Sequence, residues 1–287
     1  MGPLALKVGE ARVTVFNVGD ILLGLDEVYD KSVDLSRYFP EEKIGKKAGF
    51  PAQSFLIESG GVKVVVDPSD YSRLVAPGHF TPPAGYAPPP ALTAQMESVG
   101  VAPTEVTHVV VTHLHFDHFA GATRGAGGNA VPTFPKADCI IPEKDWRMSS
   151  IAEAREVRDP DVVDTLVAVQ QAGRLSLLDG AKDLGGGVSV EPFPGESPGH
   201  QVVAVKSKGM SCYCVGDLIH LEEEVEHPEL VASWNEPREM ESSRARFYRL
   251  ASAEDAVVMP GHMRPGKVSV KGGRASWRTL DGTTARI

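Results

Sequence analysis

The chain has 287 residues, long enough for one large domain or two small ones. Hydrophobic residues make up 42% and charged residues 23%, which excludes a disordered, collagen-like or coiled-coil chain. The net charge of −9, with no long Lys/Arg run, excludes nucleic acid or an anionic membrane surface as the main partner. Three cysteines make no disulfide framework at this length.

The opening residues lack a basic stretch followed by an apolar core, and no apolar run is long enough to span a bilayer. A cytoplasmic protein is expected. Arg12–Val18 and Ile21–Leu25 read as a hairpin turning at Gly19-Asp20. Asp26–Gly49 is charged and irregular and reads as a long surface loop. Gln53–Ile57 and Val62–Val66 are β-branched runs around Gly60-Gly61, a second hairpin, ended by Asp67-Pro68. Ala76–Pro90 is rich in Pro and Gly and reads as a second long loop. Because no new composition begins after it, one domain over residues 1–287 is expected. A short helix over Leu92–Val99 and strands at His108–Thr112 and Cys139–Ile141 follow. Glu143–Glu156 and Asp161–Ala172 carry helical patterns. Strands are expected at Leu175–Leu178, Val188–Phe193, Gln201–Lys206, Cys212–Val215 and Ala256–Met259, with a helix over Glu239–Ser252. Strands and helices interleave throughout, which suits an α/β architecture of mixed sheets with helices packed outside.

The chemistry concentrates after the strand His108–Thr112, in His113-Leu114-His115-Phe116-Asp117-His118. In an extended segment His113, His115 and Asp117 share one face. Imidazole and carboxylate together suit Zn²⁺, and also Fe, Mn or Co. Three more ligand-type residues stand beside glycine at strand ends: His200 in Pro198-Gly199-His200, Asp217 in Gly216-Asp217, and His262 in Pro260-Gly261-His262. Glycine lets backbone approach a metal shell closely.

These motifs, in this order, resemble the metallo-β-lactamase superfamily. The matching residues are His113, His115, Asp117, His118, His200, Asp217 and His262, with Asp67 matching an early structural Asp. The resemblance implies an αββα four-layer sandwich, two mixed β-sheets with helices on the outer faces. It implies two divalent metal ions, with His113, His115 and His200 on one, Asp117, His118 and His262 on the other, and Asp217 bridging. Asp67 is then expected to hydrogen-bond a metal-bound His. A bridging carboxylate, in place of a Cys, argues against β-lactam hydrolysis.

Within the superfamily, His113–Gly121 and Gly216–His220 look like the acyl-homoserine lactonases and their methyl-parathion-hydrolase-like relatives. A dinuclear hydrolase opening a lactone or cleaving a related ester through a metal-bridging hydroxide is therefore expected, with a small-molecule lactone or ester as partner. Quorum quenching is the implied role. Phosphotriesterase or arylesterase chemistry, a mononuclear iron enzyme acting on sulfur, and a non-catalytic metal-binding protein are the alternatives. A homodimer stays open. Asp117 is the expected proton shuttle. Where lactonases carry a Tyr three residues after the bridging Asp, this chain has His220, which can donate to a developing oxyanion. Only 25 residues follow His262, and they read as strands and turns rather than a glyoxalase-type helical extension. Tyr29, Tyr38, Phe39, Phe50, His79, Phe80 and Tyr86 read either as pocket lining or as loop anchors. Phe116 and Phe119 are expected to wall the site. Cys139, Cys212 and Cys214 read as apolar packing, and Trp146, Trp234 and Trp277 as core or interface aromatics. The pocket floor is expected to be electropositive, suited to a neutral or mildly anionic carbonyl compound.

Overall fold

The computed structural model describes residues 3–280. Two seven-stranded sheets face each other. The first runs Leu4–Val8, Ala11–Gly24, Lys47–Ser59, Val62–Val66, His108–Val110, Asp138–Pro142 and Leu175–Leu178 in spatial as well as chain order. Its pairings are antiparallel as far as Val62–Val66 and parallel beyond. The second runs Lys182–Gly185, Val188–Pro192, Gln201–Ser207, Met210–Gly216, Val257–Pro260, Gly266–Lys271 and Arg274–Thr279. Its one parallel pairing joins Met210–Gly216 to Val257–Pro260.

Alternation along the strands decides which face each side chain takes. Val13, Phe55, Ile57, Val64 and Val66 point from the first sheet into a shared core with Val190, Val203, Cys212, Cys214 and Met259 from the second. The opposite face of the first sheet packs Leu92, Met96, Trp146, Ile151, Leu166 and Val169 from helical segments. The opposite face of the second packs Met240, Phe247, Tyr248 and Ala251 of the helix Pro237–Ala253. The result is the four-layer αββα arrangement. The three cysteines are buried packing residues, as expected.

Several local expectations fail for identifiable reasons. Gly19-Asp20 is not a hairpin turn. Ala11–Gly24 is one strand, paired with Lys47–Ser59 along its whole length with a register shift between Asn17 and Gly19. A Cβ on Gly19 would stand 2.0 Å from the Tyr71 ring, so glycine answers a close approach there, not a reversal. Asp26–Gly49 is not simply a surface loop. It holds short helical turns and the start of a strand, and it buries Val28, Tyr29 and Phe39 against Leu230 and Ala232. The helix over Glu143–Glu156 breaks into Glu143–Trp146 and Ser149–Glu156. The strand Lys182–Gly185 had no sequence signal. The segment after His262 forms a hairpin, Gly266–Lys271 with Arg274–Thr279, as expected.

Among the described residues, no helix is long and apolar enough to cross a membrane.

Phe55 is fully buried between the sheets, paired to Val15 and Val66. Phe55→Ala is expected to cost about 3–5 kcal/mol, read from the midpoint of urea unfolding at unchanged slope.

Candidate metal centre

The site lies where strand ends converge on one edge of the sandwich, the usual place for function in sheets with parallel strands. Asp67 follows Val62–Val66, Thr112 and His113 follow His108–Val110, Asp217 follows Met210–Gly216, and His262 follows Val257–Pro260. His200 enters from the turn before Gln201–Ser207. The extended run expected for all of 113–117 stops at His115. That residue caps a helical turn, Phe116–Phe119, which carries Asp117 and His118. The turn still delivers both side chains to the cluster.

Two groups of ligand-type atoms form. One comprises His113, His115, Glu196 and Asp217, the other Asp117, His118 and His262. Asp217 Oδ2 belongs to both neighbourhoods. It lies 3.8 Å from His113 Nε2, 3.3 Å from His118 Nε2, 3.2 Å from His262 Nε2 and 3.3 Å from His220 Nε2. Asp117 Oδ2 lies 3.2 Å from His262 Nε2 and 3.5 Å from His118 Nε2. His200 stands next to His113, ring centroids 5.3 Å apart, outside the two tightest groups.

The imidazoles are held from behind. His118 Nδ1 donates to Asp67 Oδ2 at 3.0 Å, His200 Nδ1 to the Phe193 carbonyl at 3.0 Å, and His262 Nδ1 to the Pro51 carbonyl at 2.9 Å. His113 Nδ1 meets Thr112 Oγ1 at 3.1 Å, and that hydroxyl donates to Asp67 Oδ2. Asp67 also accepts the Thr112 amide at 2.7 Å, so one carboxylate sets both the strand end and the His118 ring. This is the pattern by which partners behind the ligands fix a tautomer and aim Nε2 at a metal.

The inward atoms are left bare. His118 Nε2, His200 Nε2, His220 Nε2 and Asp217 Oδ1 are buried without a hydrogen-bond partner. Buried polar atoms are normally paired, so this concentration fits a cation. With metal–ligand bonds of about 2.0–2.1 Å, tetrahedral ligand atoms stand about 3.3 Å apart, close to the separations above. Gly261 makes room: a Cβ there would be 2.7 Å from Asp217 Oδ1.

Electrostatics agree. Burial works against charge on Asp217, but His118, His262 and His220 outweigh it and hold its carboxyl well below the usual range. Burial likewise opposes protonation of His118, yet Asp217, Asp117 and Asp67 push it well above an ordinary imidazole. His262 is raised to about 10 against the same burial cost, chiefly by Asp217 and Asp117. His113 goes the other way, because burial dominates and His118 and His115 add repulsion. The carboxylates thus attract positive charge, which metal ions supply in place of protons.

His220 is brought into the cluster. Its Nδ1 lies 3.3 Å from Glu224 Oε1, its backbone amide donates to Glu224 Oε2 at 2.8 Å, and Arg244 Nη2 donates to the same oxygen at 2.6 Å. Tyr29 donates its hydroxyl to Glu224 Oε1 at 2.8 Å. Two functional candidates were missed by sequence reasoning. Glu196 sits inside the first group, and Glu224 supports His220. The only sequence signal for Glu196 was its place between Gly195 and the turn that delivers His200.

A cavity of about 250 Å³ opens against the first group, lined among others by His115, Glu196, Leu114, Met148 and Trp234. His115 connects the two, with 37% of its side chain exposed. Trp234, 43% exposed, edges onto the rings of His115 and His220. It is a pocket-lip residue and not a core one. Of the aromatics expected near the site, Tyr29 and Phe39 anchor the segment after Gly24, and Phe50 is a core residue of the strand Lys47–Ser59. Tyr86 packs on Tyr71, and His79 on Phe116 while pairing with Asp161. Phe119 is core, and Phe116 does not line this cavity.

A profile of the metallo-beta-lactamase superfamily matches residues 48–262. Metallo-beta-lactamase domain-containing protein 1 of Xenopus laevis is 28% identical over 194 residues, 66% of this chain and 67% of that protein. Among solved structures, the hydrolase AbOPH superposes with a TM-score of 0.77 at 17% identity, covering 98% of both chains. AidC, described as a dizinc quorum-quenching lactonase, superposes at 0.76 with 18% identity and the same coverage. A B. thuringiensis AiiA mutant with N-decanoyl-L-homoserine at its active site reaches 0.61 at 20% identity, covering 91% of this chain and 94% of that one.

Arg244 and Glu224 form a fully buried pair, and Arg244 also donates to the carbonyls of Leu218 and Leu230. Arg244→Met is expected to destabilise the fold by about 3–5 kcal/mol, because it strands a buried carboxylate. Adding Glu224→Gln is expected to cost less than the sum of the two single changes, measured by denaturant unfolding.

Proposed function

The chain belongs to the metallo-β-lactamase superfamily, and from that premise we propose that it is a dinuclear metal-dependent hydrolase that opens a lactone or cleaves a related ester. The observation that carries this reading is Asp217 Oδ2, flanked at 3.2–3.8 Å by imidazole nitrogens from both ligand groups. His113, His115 and His200 would hold one ion, Asp117, His118 and His262 the other, and Asp217 both. Imidazole and carboxylate donors suit Zn²⁺, with Fe, Mn and Co in the same range. Two bound ions would supply water activated near neutral pH and polarise the substrate carbonyl.

The chain's own residues divide the remaining work. Asp117 is the most exposed of the site carboxylates, 9% against 3% for Asp217 and 2% for Glu196. It is the residue placed to carry a proton to the leaving ring oxygen. His220, whose backbone amide donates to Glu224 and whose Nδ1 stands 3.3 Å from that carboxylate, turns Nε2 toward the cluster beside Trp234 and is placed to donate to the developing oxyanion. Leu114, Met148 and Trp234 offer apolar surface for an acyl chain, and the cavity of about 250 Å³ suits a small ring with a short tail. An N-acyl-homoserine lactone meets that description. The lactonases AidC and AiiA share the fold, which supports the choice.

The test is a panel of acyl-homoserine lactones, aryl esters and phosphotriesters with metal-loaded protein. Lactone or ester turnover is expected, lost on chelation and restored by Zn²⁺. Preferred turnover of phosphotriesters, or one iron per chain with oxygen consumption, overturns the reading. His220→Phe is expected to lower kcat about 100-fold or more while the metal content stays the same. An unchanged kcat removes the oxyanion role.

A further inference from the structure

We propose that Glu196 is itself a metal ligand, a further donor to the first ion in addition to His113, His115, His200 and Asp217. This rests on the metal-centre reading above and not on the choice of substrate.

Three observations carry it. The first is spacing. Glu196 Oε1 lies 3.2 Å from His115 Nδ1 and 3.8 Å from His113 Nε2, while His113 Nε2 and His115 Nδ1 are 3.0 Å apart. Atoms that share a metal at bonds of about 2.0–2.1 Å stand about 3.3 Å apart. The Glu196 oxygen therefore sits where a ligand atom of the His113–His115 group belongs.

The second is charge. The Glu196 side chain is fully buried, and among the described residues its ion-pair partners are all imidazoles: His113, His115 and His220. No Lys or Arg serves it. Glu224, behind His220, is answered by Arg244 at 2.6 Å, and Asp145 by the Ser197 hydroxyl and two backbone amides, whereas Glu196 faces three imidazoles of the cluster. A carboxylate buried without a fixed cation is costly. A divalent ion at the cluster provides that cation.

The third is aim. Trp234 Nε1 donates to Glu196 Oε1 at 2.6 Å and Asn235 Nδ2 donates to Oε2. Both donors lie on the pocket-lip segment, and both are neutral. They fix the carboxylate plane so that Oε1, while accepting from Trp234, also faces His113 and His115, with Oε2 3.6 Å from His220 Nε2. The backbone is pinned as well. The Glu236 amide donates to the Gly195 carbonyl, and Asp145 takes Ser197 Oγ and the Gly199 amide, so Glu196 and His200 are held by one rigid turn. A partner behind a ligand that orients it is the arrangement found at metal-binding carboxylates.

The experiment titrates metal-free wild type and Glu196→Gln with Co²⁺. It follows stoichiometry by equilibrium dialysis, affinity by chelator competition and ligand field by visible absorption. Wild type is expected to take two equivalents. Glu196→Gln is expected to bind one of them at least 100-fold more weakly, with a changed visible band for that ion. Glu196→Asp, which keeps the charge with a shorter reach, carries the same readings if the glutamine variant does not fold. Two equivalents with unchanged affinity overturn the proposal. So does a weaker affinity with an unchanged visible band, which makes Glu196 a positioning residue. Failure of wild type to bind any Co²⁺ overturns the metal-centre reading itself and is distinguishable from both.

Discussion

A buried negative charge organises this protein. Asp217, with 3% of its surface exposed, follows the fully buried stretch Cys212–Gly216, and imidazole nitrogens crowd one oxygen of its carboxylate. In a low-dielectric edge such a charge must be answered by positive charge. Most elements that reach the site contribute to that answer, and four of the imidazoles, His113, His118, His200 and His262, are held from behind. Asp67, Thr112, the Phe193 carbonyl and the Pro51 carbonyl each occupy an Nδ1 and turn an Nε2 inward. The two sheets matter because their strand ends bring these groups to one edge. The core between the sheets makes that convergence rigid.

The site has a wet side and a dry side. His115 faces the cavity, with Trp234 at its lip. Behind His220 lies a closed polar unit of Tyr29, Glu224 and Arg244. Burial and Glu224 both raise the Tyr29 pKa, so its hydroxyl stays protonated and donates. Long segments that look like surface decoration serve this back wall. Tyr29 comes from the segment expected to be a loop, and its ring packs on Phe39. The loop residues thus support the orientation of a site side chain, and do not line the pocket.

Much of this was legible in the sequence, for physical reasons that can be named. His113 directly follows the β-branched run Val109–Thr112, and Asp217 and His262 lie just past the ends of apolar strands, where a strand end fixes where the next side chain goes. His118 and Asp117 were legible as site residues, but not the helical turn that carries them, because an alternating pattern and a single turn can deliver the same atoms. The fold class followed from interleaved strands and helices together with the family resemblance. The failures cluster where glycine has more than one use. At Gly19 it admits the Tyr71 ring within a continuous strand, and a sequence cannot tell that from a turn. Glu196 was invisible because it lies in an irregular turn, where no periodicity says which way a side chain points. Glu224 was invisible because its partner Arg244 is distant in the chain and meets it only through the packing of the helix Pro237–Ala253.

Glu196 alters the electrostatic argument made from sequence. An electropositive floor follows from two divalent ions set against the carboxylates of Asp117 and Asp217. Glu196, a third carboxylate at the centre and the second of the first ligand group, removes one unit of that charge, where field strength depends least on solvent. Glu196 also lines the cavity, as does Glu236. An anionic substrate approaching from that side would meet carboxylates before any bound ions. A neutral lactone or ester has no such penalty and needs only local polarisation of its carbonyl. As a ligand Glu196 would also shift the donor set toward oxygen, which would weight the site toward harder ions than the histidines alone imply. The same residue thus bears on which ion the site prefers and which substrate charge it admits.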